Sequence, residues 1–110
     1  MDLLKMAGHM SLEFGASVEG PYGYATSRTV RVWLSNGRGV SLTHDTERDQ
    51  PGRVELMVIR EVTDGHGGTD SAHDYSTPVT SDVNPSQDID DVRAALSVLR
   101  DMPASDRFDL

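Results

Sequence analysis

Two imidazoles and three carboxylates crowd into the eleven residues from Asp64 to Asp74, the density that metal binding or acid–base chemistry requires. To hold zinc or nickel, two imidazoles must aim at one ion, which in a regular element means i, i+4 spacing on a helix or i, i+2 on a strand. His66 and His73 have neither, and Gly65, Gly67 and Gly68 between them must lose much entropy to become a rigid site. Calcium needs a twelve-residue acidic register closed by a bidentate Glu, and the segment lacks it. Ser71, His73 and Asp74, or His44 with Asp45, supply residue types of a hydrolytic triad. No serine stands in a Gly-x-Ser-x-Gly elbow, however, and no nucleophile is marked near His44. Asp90 and Asp91 point to different sides of a helix, so they do not form the facing pair that glycoside hydrolysis uses. Gly20-Pro21-Tyr22-Gly23-Tyr24 is not followed by the helix of a phosphate cradle. These patterns assign no catalytic residue, cofactor or metal and point away from an enzyme. A small His/Asp metal protein using His44, His66 and His73 stands as an alternative.

Binding residues stand out more clearly. Tyr22, Tyr24 and Trp33 are half of the aromatic residues, and large aromatic side chains are favoured anchors at protein interfaces. Asp88, Asp90, Asp91 and Asp101 accompany a helical segment near the C-terminus and form a second candidate contact surface. The 110 residues carry 18 acids and 10 bases, a net charge of -8. Residues 1–43 are at +1 and residues 44–110 at -9. A strongly negative half repels phosphate, so direct nucleic-acid binding is disfavoured and a partner with a basic surface is favoured.

The elements that must position these residues follow from the apolar periods. Residues 1–9 read as a short helical or vector-derived segment, because His9-Met10 resembles an expression-vector junction. Leu12, Phe14, Ala16 and Val18 alternate with polar residues as in a half-buried strand, which Gly20-Pro21-Tyr22-Gly23 breaks. Val30, Val32 and Leu34, then Val40 and Leu42, predict two strands joined by a type I′ turn at Asn36-Gly37. His44 to Gly52 reads as a loop. Arg53 to Val62 has apolar residues on both faces and predicts a covered or central strand. Thr63 to Tyr75 reads as a loop, and Thr77 to Thr80 as an edge strand. Asn84, Pro85 and Gln87 resemble an N-cap, first position and capping box. They lead into a helix with the stripe Ile89, Val92, Leu96 and Leu99, stopped by Pro103.

The expected fold is α+β: an antiparallel β-meander of four to five strands with one C-terminal amphipathic helix packed on the sheet. It forms one domain over 10–103, followed by a polar tail, 104–110, tethered at most by Phe108 or Leu110. With no cysteine, disulfides and thiolate metal sites are excluded. No secretory signal is legible at the start, so the expected compartment is the bacterial cytoplasm, without membrane association.

Three segments carry a resemblance: Arg38-Gly39-Val40-Ser41-Leu42, Val54-Glu55-Leu56-Met57-Val58, and Thr77-Pro78-Val79-Thr80-Ser81-Asp82-Val83 with the helix after it. They resemble a pattern of small accessory proteins of actinobacteria and their phages, in which a "GVSV"-type strand precedes a "GLxExAVL"-type strand, a "TPITDDV"-type segment and a C-terminal helix. Nine arginines against one lysine fit the GC-rich coding of such genomes. The resemblance spans residues 37–103, brings no catalytic residues, and implies a protein that binds and inhibits or modulates a host or phage protein. A host protein of nucleic-acid binding or defence is the concrete expectation. A self-assembling homodimer through a sheet edge is the second class.

Overall fold

Asp2 opens the first element by accepting a hydrogen bond from the Lys5 backbone N–H at 2.8 Å. The helix that follows, α1, spans Leu3–Phe14 and ends at Gly15, whose φ of 62° is the left-handed conformation glycine takes at no steric cost. Leu3, Met6, Ala7 and Met10 are buried and Phe14 packs beside them. The strand expected from Leu12 is therefore replaced by helix up to Phe14. Both periods fit residues 10–14, but the helical one buries a stripe that begins at Leu3, and it leaves Leu12 88% exposed.

The computed structural model describes residues 2–63, 66, 68–75, 77–79 and 83–104. After α1 come β1 (Ser17–Tyr24), β2 (Ser27–Trp33), β3 (Arg38–Asp45), β4 (Val54–Thr63), β5 (Thr69–His73), β6 (Asn84–Gln87) and α2 (Ile89–Arg100). All pairings are antiparallel. The order β1-β2-β3-β4-β5 is a meander, and β6 joins β4 at Val54 and Leu56, leaving Ile59 to Thr63 of β4 for β5. The expected α+β meander with a C-terminal helix on the sheet is thus the observed fold, with α1 as an additional cover.

One sheet face builds the core. Val30, Val32, Val40, Leu42, Val54, Leu56 and Val58 meet the α1 stripe and Val92, Ala95, Leu96 and Leu99 of α2, all of them buried. Burying aliphatic side chains of this size stabilises by about 1.5–3 kcal/mol each, so this layer supplies the main folding force.

Several boundaries differ from expectation, each for a local reason. The strand runs through Gly20-Pro21-Tyr22-Gly23, because a bulge between Glu19 and Tyr22 absorbs the irregular stretch at the sheet's edge, where a missing N–H is tolerated. The hairpin at Asn36-Gly37 forms, but only Gly37 has positive φ (80°). Leu34 N–H donates to the Arg38 carbonyl at 2.8 Å and Gly37 N–H to the Leu34 carbonyl. This is a turn closed by a left-handed glycine rather than type I′.

Asn84, Pro85 and Gln87 lie in β6 and do not cap α2. Ser86 at φ 55° breaks any helix there, and Asp88 with Asp91 forms the capping box four residues later. The loop expected over Thr63 to Tyr75 contains β5, whose ladder bonds to β4 need no apolar period. Thr77 to Val79 are bends rather than an edge strand, and Thr80 lies outside the described residues, as do 105–110 with Phe108 and Leu110.

Candidate functional site

The sheet's second face carries the odd-numbered positions of β2, β3 and β4. Trp33 stands opposite Gly39, and Gly39 opposite Ile59, so the indole lies over the glycine beside a buried isoleucine. A Cβ at Gly39 would meet the Val32 carbonyl oxygen and lie 3.0 Å from the Trp33 ring; only glycine leaves room for that ring. Trp33 is 9% exposed and forms the floor of a cleft of about 470 Å³.

The cleft walls come from both ends of the meander. Ser17 and Glu19 of β1 face Glu61 of β4 and Asp70 and Ser71 of β5, with Arg31 and Trp33 between them. Edge strands with three others between them can line one cleft only if the sheet curls, and the β1 bulge supplies extra curvature. Gly20 (φ 102°) sits in that bulge, where a Cβ would lie 2.8 Å from the Thr29 carbonyl oxygen. Glu19 is held in place: its carboxylate accepts from Trp33 Nε1 and, at 3.2 Å, from the Tyr22 hydroxyl. The Arg31 guanidinium lies 5.6 Å from the Tyr22 ring centroid, a cation–π contact. Three carboxylates, Glu19, Glu61 and Asp70, therefore share the cleft with one guanidinium.

The anticipated contact residues separate into three places. Trp33 and Tyr22 belong to the cleft and its rim, and Tyr24 is 87% exposed at the end of β1. Asp88 and Asp91 cap each other's backbone at the start of α2, at 2.9 and 3.0 Å. The Asp91 N–H, with help from Arg53, holds the Asp88 carboxyl below its ordinary range. Asp90 pairs with Arg93, which also grips Glu13 of α1. Asp101 pairs with Arg100 at the far end of α2, about 18 Å away at 1.5 Å per residue. The α2 acids and the aromatic residues thus lie on opposite sides of the sheet, with the core between them.

The histidines and their neighbours are spread out. His44 stands in β3, not in a loop, and its Nδ1 donates to the Arg53 carbonyl at 2.7 Å. Asp45 beside it is bonded by Thr26 Oγ1, the Glu47 N–H and Ser27 Oγ, which hold its carboxyl below the ordinary range. His73 Nδ1 meets the Tyr75 hydroxyl at 3.0 Å, while Asp74 turns inward to Arg38 at 2.7 Å. Ser71, His73 and Asp74 therefore do not form a relay. His66 is exposed, and Asp64, Gly65 and Gly67 lie outside the described residues. Among the described residues no three His, Asp or Glu side chains converge as a metal site requires.

Comparison with protein-family models, curated proteins and solved structures finds no match for this chain. Among the described residues no helix is long and apolar enough to cross a membrane. Glu19 and Glu61 were not singled out from the sequence, and Asp70 stood out only as one carboxylate of the Asp64 to Asp74 cluster. The signal available was parity: Glu19, Arg31 and Trp33 are odd-numbered, and once β1 and β2 pair they must share a face. Nothing local announced that Glu61 and Asp70 would approach them, because that depends on the curl of the whole sheet.

Proposed function

We propose that this protein is a non-enzymatic binding module that seats a basic segment of a partner protein in its acidic cleft. The observation that carries this reading is the set of Glu19, Glu61 and Asp70 around the floor made by Trp33. A guanidinium or ammonium entering there meets carboxylates in a partly desolvated cavity beside an aromatic ring, where charge-assisted hydrogen bonds are about twice as strong as neutral ones. Host proteins that hold nucleic acid present Lys and Arg for phosphate, and a chain with net charge -8 is drawn to the same surface. The protein acts in this reading as an accessory inhibitor, phage-encoded and working inside the bacterial host, that occupies such a surface. It uses no cofactor or metal.

Trp33 is the only tryptophan, so its emission reports the cleft directly. Titration with an arginine-rich peptide should give a saturable emission change at low salt that weakens at high salt. The pair Glu61→Gln and Asp70→Asn should weaken binding by about tenfold or more, and Asp101→Lys, on the other side of the sheet, should leave it intact. If emission stays flat at low salt, or the double variant binds as well as the parent, the cleft is not the site.

A further inference from the structure

We infer that the outward face of α1 is the contact of a two-fold homodimer, with Gly8 on the axis and Leu12 of each copy seated beside Leu4 of the other. Leu4, Gly8 and Leu12 recur at i, i+4, i+8 on the side opposite the buried Leu3, Met6, Ala7 and Met10. Leu4 is 58% and Leu12 88% exposed. Only Lys5 and Glu13 carry full charges in the helix, and Leu4 and Leu12 put an apolar strip on its exposed side between Lys5, His9 and Ser11.

Gly8 identifies how it is covered. Glycine inside a helix costs about 0.5–1 kcal/mol relative to alanine. Within one copy nothing requires it, since a Cβ there would meet no atom within 4 Å and the φ is not positive. What a glycine permits at such a point is the close approach of another backbone.

The occupant follows from self-complementarity. Beside Leu4 lies a groove of about 290 Å³ in which Leu3, Leu4 and Pro21 are bordered by Asp2, Arg28, His44 and Thr46. Leu4 and Leu12 stand roughly 6 Å to either side of Gly8 along the axis. An antiparallel copy turned about Gly8 therefore places its Leu12 level with this groove, and the same contact recurs by symmetry. Lys5 and Glu13 lie on one flank of the face, so each Lys5 comes within about 3 Å, measured along the helix axis, of the level of Glu13 of the second copy. Two opposite-charge pairs result, each sharing the Glu13 carboxylate with Arg93. The opposed helix dipoles add to the match. One helix face is a small interface, so dissociation should fall in the micromolar range or weaker. The face lies across the core from the acidic cleft, and the two readings stand or fall separately.

Light scattering on a size-exclusion column should show mass rising from monomer to dimer with loading concentration. Gly8→Leu, which has room in the single copy, should keep the circular dichroism spectrum and remain monomeric throughout. The chain has no cysteine, so Gly8→Cys should form a disulfide-linked dimer on mild oxidation, while Leu12→Cys, roughly 12 Å from its symmetry mate, should not. A protein that stays monomeric at millimolar concentration overturns the inference. A dimer that survives Gly8→Leu also overturns it and places the contact at a sheet edge.

Discussion

A methyl group at position 39 is a small change with a large expected effect. It has no room between the Val32 carbonyl and the Trp33 ring, so Gly39→Ala must lift the indole or distort the pairing of β2 with β3. Overpacking of this kind costs about 1–3 kcal/mol. Urea melts should register that loss, and Trp33 emission should shift to the red as the ring meets water. Arg38 and Asp74 make a different residue-scale prediction. Their side chains are 11% and 2% exposed, and Arg38 Nε also donates to the Pro103 carbonyl at 2.9 Å. Arg38→Met takes the guanidinium away from the buried Asp74 carboxylate, a loss of about 3–5 kcal/mol. Arg38→Met combined with Asp74→Leu should recover most of it, because the penalty lies in keeping a carboxylate buried once the guanidinium is gone. A double variant as unstable as the single one would show that the guanidinium's other contacts matter more.

The elements are fastened to one another by their ends. Asn36, in the β2–β3 turn, donates from Nδ2 to the Leu99 and Met102 carbonyls at 2.9 and 3.3 Å, satisfying acceptors that α2 leaves open at its last turn. Asn36→Ala should cost about 1–2 kcal/mol by denaturant melting, although the turn itself remains. This contact explains why part of the fold was legible and part was not. Asn36-Gly37 marked a hairpin correctly, but not that Gly37 alone would take positive φ or that Asn36 would bond to α2, 63 positions away. The α2 stripe was legible from Ile89 to Leu99, whereas its start was mimicked by Asn84, Pro85 and Gln87, which β4 recruits into a strand. The α1 helix was missed because Leu12 and Phe14 fit a strand as well as a helix, and Leu3, Met6 and Met10 decide between them only when residues 1–9 are read as part of the fold. The Gly/His/Asp stretch hid β5, which is held by backbone bonds rather than by apolar residues. Of the cleft, Trp33 and Tyr22 were visible as aromatics; the acids facing them come from strands that meet only in three dimensions.

For the molecule as a whole, acid is the expected weakness. Asp45, held by Thr26, Asp49, held by Arg48, Glu13, held by Arg93, and Asp88, held by the Asp91 N–H, all have carboxyls lowered below their ordinary range. Each takes up a proton less readily folded than unfolded. Their contribution is complete above the ordinary carboxylate values near pH 4 and is lost as pH falls through the lowered ones. The melting temperature should therefore be level from pH 7 to about 5 and decline below about 4; a melting temperature that rises on acidification would contradict this. The shared strand β4 has a further consequence, for the order in which the chain is made. A growing chain can zip β1 to β4 from neighbour to neighbour, but β6 and α2, which close β4's remaining edge and cover Leu42 and Leu56, are synthesised last. A ribosome-bound chain halted before residue 89 thus carries an apolar sheet roofed by α1 but not by α2, the state in which chaperones and proteases would find this protein.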